Sequence, residues 1–396
     1  MSIQSGSVAA VDHTKFSSGW TKLLWPVWAI FLIAGIAGVF MRITHGHNLA
    51  GYGSYVPWGL WIGVYFVGVG ISGGAFILGT LGYLFGVQGF SRNSDLRISI
   101  ILSVSGLLPA FLGVWLDLGR MDRMMNILIH PSFTSMMAFN AWMYNIFLII
   151  AALTWFLSFR DSSPWLKPLL ILGMFFSILF PSQSGVFFEA VRTNEFWRSP
   201  LLSMLFFVSA ITLGGASLLF VRSAMLKKSA TSEDLSALDS ALNILRATTL
   251  IGLLVYVVFE FAEFSITFWN PGAHSPNVEF LLFGDYRIVF WGIHLGLGVV
   301  VPFLMLSTGN TRLWVIASLL SIIGFGAARL CILIPGQVVG QIPGIQEAFQ
   351  DPRLSYVYHI TTMEYLVVLL MIAVGMTVFY VGSLLNKFFE SSSGAR

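Results

Sequence analysis

Apolar positions in this chain run in long blocks rather than alternating with polar ones. Ten blocks of about 18 or more residues, bounded by charges or by Pro and Gly, follow one another along the sequence. They run from Leu23 to Met41, Trp58 to Gly86, Ile98 to Leu118, Met137 to Phe159, Pro168 to Phe188, Leu201 to Val221, Thr248 to Phe268, Ile288 to Leu306, Leu313 to Ile334, and Ile360 to Leu384. A backbone in lipid must satisfy its own hydrogen bonds, so each block predicts a membrane-spanning helix. The fold expected is therefore all-α and polytopic, with no large soluble domain. The first block is too long for the core of a signal peptide and a polar stretch precedes it, so it reads as an uncleaved anchor.

Lys and Arg outside the blocks predict the orientation, because they are retained on the cytoplasmic side. With the N-terminus inside, Lys15, Lys22, Arg92, Arg97, Arg160, Lys167, Arg222, Lys227, Lys228, Arg246, Arg312, Lys387 and Arg396 are cytoplasmic. Arg42, Arg120, Arg123, Arg192, Arg198, Arg287 and Arg353 fall outside, and every lysine falls inside. Both termini are thus expected in the cytoplasm of a cell whose inner membrane holds the chain, and Lys227 to Arg246 reads as a cytoplasmic joint.

An internal repeat agrees with a joint there. Gly73-Gly74-Ala75 in the second block matches Gly214-Gly215-Ala216 in the sixth, Pro57 matches Pro200, and Asp117 matches Glu260. Four spans separate the copies, so the repeat is parallel. The expected organisation is residues 1–56 with the first span, a four-helix bundle at 57–199, a second at 200–335, and 336–396 with the last span. Small-residue patches of this kind read first as seams where helix backbones approach closely.

An ionisable residue at membrane depth is costly and is a functional candidate by default. The candidates are Asp117, Glu189, Glu260, Glu263, His294, Arg329 and Glu364, all in the predicted outer half of their helices or at its rim, with none in the inner half. Arg329 needs a counter-ion, and Glu260, Glu263 and Glu364 lie at similar depth, so these four are expected to pair. Glu260 and Glu263 sit three apart on one helix face, which disfavours full charge on both. Asp117 has two readings, capping or pairing with Arg120 or Arg123 of the same turn, or a proton-exchanging group. A haem would want a second axial ligand beside His294, and only His359 lies near a span. His45, His47 and His130 read as surface histidines, and no metal-ligand spacing is present.

Two further segments bear on a site. Tyr55-Val56-Pro57-Trp58-Gly59-Leu60-Trp61 reads either as an interfacial aromatic belt or as the rim of a pocket for a flat ring. Pro181-Ser182-Gln183-Ser184 is expected to break the fifth span just inside the outer face, freeing backbone groups that must line a cavity or find partners.

Composition narrows the chemistry. Of the 396 residues 56% are hydrophobic and only 10% charged, against about 25% in soluble proteins. One cysteine, Cys331, excludes a disulfide framework, a Cys-ligated iron–sulfur cluster and a C-x-x-C-H haem site in this chain. A net charge of +3 from scattered Lys and Arg argues against nucleic acid. A membrane protein without redox ligands, carrying a polar pocket near one face, suits a carrier that brings its own two electrons and two protons, which is a quinone.

Pro57-Trp58-Gly59-Leu60-Trp61, Ser72-Gly73-Gly74-Ala75, Leu116-Asp117-Leu118-Gly119-Arg120, Arg329 and Glu364 together resemble the NrfD/polysulfide-reductase-C membrane subunits. Ten spans rather than eight is similar to the branches associated with hydrogenases and with sulfite reduction. The resemblance implies a protein that binds menaquinone or ubiquinone near the outer face and meets an iron–sulfur, ferredoxin-like partner there, within a complex that can include cytochromes. It implies a quinone pocket about Trp58, Asp117 and the region of Glu189, to which the residues add Tyr55, Ser182, Gln183 and His294 as candidate lining. The competing readings are a secondary transporter, whose sites usually lie at the bilayer midplane, and a passive anchor for a partner.

Overall fold

The computed structural model describes residues 18–160, 163–191, 193–224, 232–269, 271–272, 275–342, 344–348 and 355–393. Lys15, Arg192, Lys227, Lys228, Arg353 and Arg396, used above for orientation, lie outside the described residues. Those residues hold ten helices long and apolar enough to cross a membrane, and no strand among them. The chain is an all-helical, multi-pass integral membrane protein.

The spans are numbered here in chain order: α1 Ser18–His45, α2 Leu60–Leu84, α3 Asn93–Asp117, α4 Met136–Leu157, α5 Leu166–Glu189, α6 Leu201–Ala224, α7 Ser232–Trp269, α8 Ile288–Leu306, α9 Thr311–Leu333 and α10 Thr362–Ser393. Each predicted block falls on one of them. The polar joint differs: from Ser232 onward it is the first part of α7, a helix of 38 residues. At 1.5 Å per residue it is about 57 Å long, well beyond a hydrocarbon core of about 30 Å. Its first turns therefore project past the membrane.

α2 and α6 form the centre and are the most buried spans, whereas α1 is the least. α2 packs on α3, α5, α6 and α9; α6 packs on α5, α7 and α9 as well. α1 and α10 pack on each other, and α10 lies against α3. The two Gly-Gly-Ala patches meet where α2 crosses α6. A β-carbon on Gly74 would stand 1.9 Å from the Ala210 carbonyl oxygen, and one on Gly214 would stand 2.2 Å from the Gly74 carbonyl carbon. Only glycine fits, so both patches are packing seams.

The expected break in α5 does not occur. Helix α5 runs unbroken through Pro181 from Leu166 to Glu189. A proline in a helix leaves the carbonyl four residues back without its donor, here that of Ser177. That carbonyl faces Gly73 of α2, where a β-carbon would lie 2.8 Å from it and 2.7 Å from Pro181 Cγ. Close backbone approach replaces the cavity that the Pro-Ser-Gln-Ser text suggests.

Candidate functional site

At the end predicted to face outward, α1 and α3 finish while α2 and α10 begin. Arg42, in the last turn of α1, turns inward and is 4% exposed. Its Nε donates to the Leu116 carbonyl at 2.8 Å and its Nη2 to the Leu118 carbonyl at 2.9 Å, so it grips the backbone on both sides of Asp117. The same Nη2 lies 2.7 Å from His47 Nε2. A guanidinium has only donors to offer, so His47 Nε2 accepts and Nδ1 carries the proton. Nδ1 then donates to the Tyr52 hydroxyl oxygen at 2.9 Å. Burial holds the His47 imidazole below its ordinary value and the Arg42 charge adds to this, with the Leu118 carbonyl opposing.

From the other side, the Leu60 amide donates to the Tyr358 hydroxyl at 2.7 Å, and that hydroxyl donates to Glu364 Oε2 at 3.1 Å. The Thr361 amide reaches the same oxygen at 3.0 Å, and the Trp61 indole donates to the Glu364 carbonyl at 3.0 Å. Glu364 is fully buried. Its Oε1 has no partner among the described residues, and neither has Asp117 Oδ1. A β-carbon at Gly59 would lie 2.8 Å from Glu364 Oε1, 2.7 Å from the Tyr358 hydroxyl and 2.9 Å from the Tyr52 ring, so these groups converge on one glycine. Burial first, then the charge of Asp117, pushes the Tyr52 hydroxyl well above its ordinary value; Arg42 opposes and Glu364 adds. Asp117 and Glu364 thus act on the same hydroxyl. The expected pairing of Asp117 with Arg120 is not found, because Arg120 forks onto Asp122 at 3.0 and 2.9 Å.

Trp58 adjoins this corner in the chain, next to Gly59, and is half-buried. Its amide donates to Gln337 Oε1 and its carbonyl accepts from Gln337 Nε2, both at 3.0 Å, while Nε2 also reaches the Leu333 carbonyl at 2.9 Å. Phe187, Trp197 and Phe188 surround the indole at centroid distances of 5.6, 5.9 and 6.4 Å. The end of α9 turns at Pro335, and its free carbonyls are taken by side chains: Trp197 on Ile332 at 2.8 Å, Asn277 on Pro335 at 2.7 Å and Asn194 on Gly336. Glu189 follows Phe188 and is half-buried, with no polar partner among the described residues. Gln183 is half-buried six residues before it, while Ser182 donates to the Ile178 carbonyl at 2.8 Å. Tyr55 stacks on Tyr356, with centroids 4.1 Å apart, and so belongs to the outer loops rather than to the Trp58 wall.

The remaining candidates do not form the expected four-residue cluster. Glu260 faces His294, whose Nε2 lies 2.8 Å from Oε1 and 3.0 Å from Oε2, and His294 Nδ1 lies 3.1 Å from the Gly324 carbonyl. Both ring nitrogens of His294 are engaged in these contacts. His294 lies in the stretch Ile288–Val300, wound as a wider π-helix, and α8 crosses α9 at Gly298 against Gly324. Glu263 accepts from the Ser199 hydroxyl at 2.5 Å. Arg329 donates to Ser209 and lies 3.8 Å above the Phe206 ring; its Nε and Nη1 have no partner among the described residues. Equal depth on different helices does not imply a shared direction, and these side chains point to different neighbours.

The inner end also carries buried charge, contrary to expectation. Asp95, in the first turn of α3, is 2% exposed and meets Arg92 at 3.3 Å and Arg222 at 3.6 Å. Arg97 is buried beside it, bonded to the Ser158 carbonyl at 3.0 Å and to Glu390 of α10. Both oxygens of Asp95 are engaged, whereas Asp117 and Glu364 each keep an oxygen free of partners. The two ends therefore differ in how their acids are paired, not in whether they have any.

Sequence reasoning missed Arg42, His47, Tyr52, Tyr358 and Gln337 at the outer end. Arg42 stands one residue beyond the first apolar block, which was the only signal available. The others are ordinary polar residues of loops or of a helix end.

Ten packed spans with partnerless carboxylates gathered beside an aromatic wall at one end define a polytopic membrane protein with a polar site near one surface. Comparison with known proteins specifies the class. The family described as "Polysulphide reductase, NrfD" matches residues 48–341, and the chain belongs to it. It is similar to a selenate reductase subunit of Mesobacillus selenatarsenatis, 27% identical over 87% of this chain and 89% of the relative. It is also similar to the Hdr-like menaquinol oxidoreductase integral membrane subunit of Archaeoglobus fulgidus, 26% identical over 86% and 87%. A putative dimethyl sulfoxide reductase membrane subunit of Halobacterium salinarum is 26% identical over 74% and 70%.

Proposed function

We propose that this chain is the quinone-interacting membrane subunit of a respiratory redox complex. It exchanges electrons between a quinone pool, menaquinone or ubiquinone, and an iron–sulfur partner docked at the outer face of the cytoplasmic membrane. The observation that carries this reading is a pair of carboxylates, fully buried Glu364 and half-buried Asp117, that both act on Tyr52 and each keep a buried oxygen without a partner among the described residues. Partnerless acceptors at membrane depth are costly and are retained where they bind or exchange protons. A quinone brings two electrons and two protons on a flat ring, and Trp58 with Phe187, Phe188 and Trp197 offers an aromatic wall for such a ring. In this scheme Asp117, Glu364 and Glu189 hold protons next to the outer surface, and the missing side chain of Gly59 lets Glu364, Tyr358 and Tyr52 come together.

The relatives' names support the assembly: each is a subunit of a reductase or of a menaquinol oxidoreductase, and two are named as membrane subunits. Within the family we place the chain with the ten-span branches, nearest the DsrP protein of the Dsr transmembrane complex, in sulfur-compound metabolism with cytochromes among its partners. The test is solvent extraction of the protein purified from its native membrane. About one quinone per chain is expected; a preparation that assembles with its partners yet carries none, and shows no quinol-dependent reduction of the partner, overturns the reading.

A further inference from the structure

Arg42 and His47 precede the family-matched region 48–341, and Tyr358 and Glu364 follow it. They nevertheless surround Asp117, Tyr52 and Gly59, which lie within it. The flanking helices α1 and α10 thus extend a site that the common core only begins.

Hydrogen-bond direction can be followed through this extension. Arg42 can only donate, so His47 is fixed with its proton on Nδ1. Tyr52 receives that proton's hydrogen bond on its oxygen, and its own O–H must point elsewhere. No acceptor for it is found among the described residues. The unpartnered acceptors nearby are Asp117 Oδ1 and Glu364 Oε1, both buried.

We propose that Tyr52 is a further residue of the proton-exchanging site, and that His47, locked by Arg42, is the positioning residue that turns the Tyr52 O–H toward the carboxylates of Asp117 and Glu364. Tyr52 stays protonated, because burial and Asp117 oppose its ionisation. It serves as a fixed neutral donor, which stabilises whichever carboxylate is charged and limits where a ligand hydroxyl can sit. The chain Arg42, His47, Tyr52 would then transmit the position of α1 to the site.

For its activity readout this proposal rests on the quinone reading, so the experiment has two arms. In the assembled complex, Tyr52→Phe and His47→Leu are each expected to lower quinol turnover about 10- to 100-fold, the worth of one hydrogen bond to a charged group, with assembly and bound quinone retained. His47→Gln, whose amide can accept from Arg42 and donate to Tyr52, is expected to restore turnover to that of the unmodified protein. His47→Leu with undiminished turnover overturns the positioning role, and Tyr52→Phe with undiminished turnover removes Tyr52 from the site. In the second arm, nitrogen NMR of histidine-labelled protein in bilayers reads the His47 tautomer directly, assigned by its loss in His47→Gln. A proton on Nδ1 that moves in Arg42→Leu is expected; a proton on Nε2 overturns the proposal whether or not the protein turns over quinol.

Discussion

Gln337 of the α9 terminus holds Trp58 by both polar groups of its backbone, donor to carbonyl and acceptor to amide, each at 3.0 Å. The partners are 279 residues apart and belong to the two halves of the chain. Trp58 stands just before α2 starts, where an amide and a carbonyl have no helical partner of their own. The side-chain amide supplies both, and so sets the height of the indole against Phe187, Phe188 and Trp197.

Gln337→Leu should therefore disturb Trp58 rather than unfold the chain. Leaving two part-buried backbone groups without partners costs on the order of 2 kcal/mol, a loss that thermal unfolding in detergent will register. In the quinol assay the apparent KM should rise more than kcat falls, since the indole contributes binding. A variant with unchanged KM and a reduced kcat would place Trp58 away from the ring.

The free acids give the sharpest test of the site. Asp117→Asn and Glu364→Gln keep shape and remove the proton-accepting oxygen, so turnover should fall by about 100-fold or more while the complex assembles. Glu189→Gln should behave in the same direction. Asp95→Asn, at the inner end, should instead leave quinol turnover intact and reduce assembly, because Asp95 is closed into ion pairs with Arg92 and Arg222. Loss of turnover in Asp95→Asn with full assembly would extend the functional acids across the membrane.

The spans were legible because lipid demands length and apolarity together, and every block from Leu23 to Leu384 answers that demand. What apolarity cannot report is rotation about the helix axis. Glu260 and Arg329 lie at similar depth, yet one turns to His294 on α8 and the other to Ser209 on α6. Their expected pairing failed for that reason. Asp95 was hidden differently, sitting three residues before the apolar block that opens at Ile98 and so outside every block, although α3 already includes it. Pro181 misled because the neighbour that accommodates it, Gly73, lies on another helix. Asp117 and Trp58 were found because they close or open apolar blocks, whereas Gln337 and His47 are identified only by what they touch.

The crossing of α2 and α6 predicts a purely structural phenotype. Gly74 and Gly214 face each other so closely that a methyl group on either meets backbone atoms, which cannot turn away as a side chain can. Gly214→Ala should separate the two spans and cost about 1–3 kcal/mol, the usual penalty of overpacking. Quinol KM should stay unchanged in whatever fraction assembles, because Gly74 lies about 21 Å along α2 from the Leu60 end, where the site is.

Glu260 and His294 supply a prediction in which two losses partly cancel. His294→Phe leaves a buried carboxyl facing an aromatic ring and should destabilise the protein by about 3–5 kcal/mol, the cost of breaking a buried charged pair by removing one member. Glu260→Leu alone strands the imidazole Nε2 and should also destabilise the protein. The double variant should be more stable than His294→Phe alone, because the buried carboxyl is then gone as well, with only the Tyr256 hydroxyl losing it as a partner, and the coupling measured by the cycle should be in the range of about 0.5–3 kcal/mol. Thermal unfolding of the four proteins in one detergent measures it. Additive losses would mean that the carboxyl and the imidazole, 2.8 Å apart, contribute independently. Turnover should fall only as far as assembly does, since both nitrogens of His294 are already occupied within the α7, α8 and α9 packing. A fall in turnover at full assembly would instead bring this pair into the proton-exchanging machinery, as a second group apart from Asp117 and Glu364.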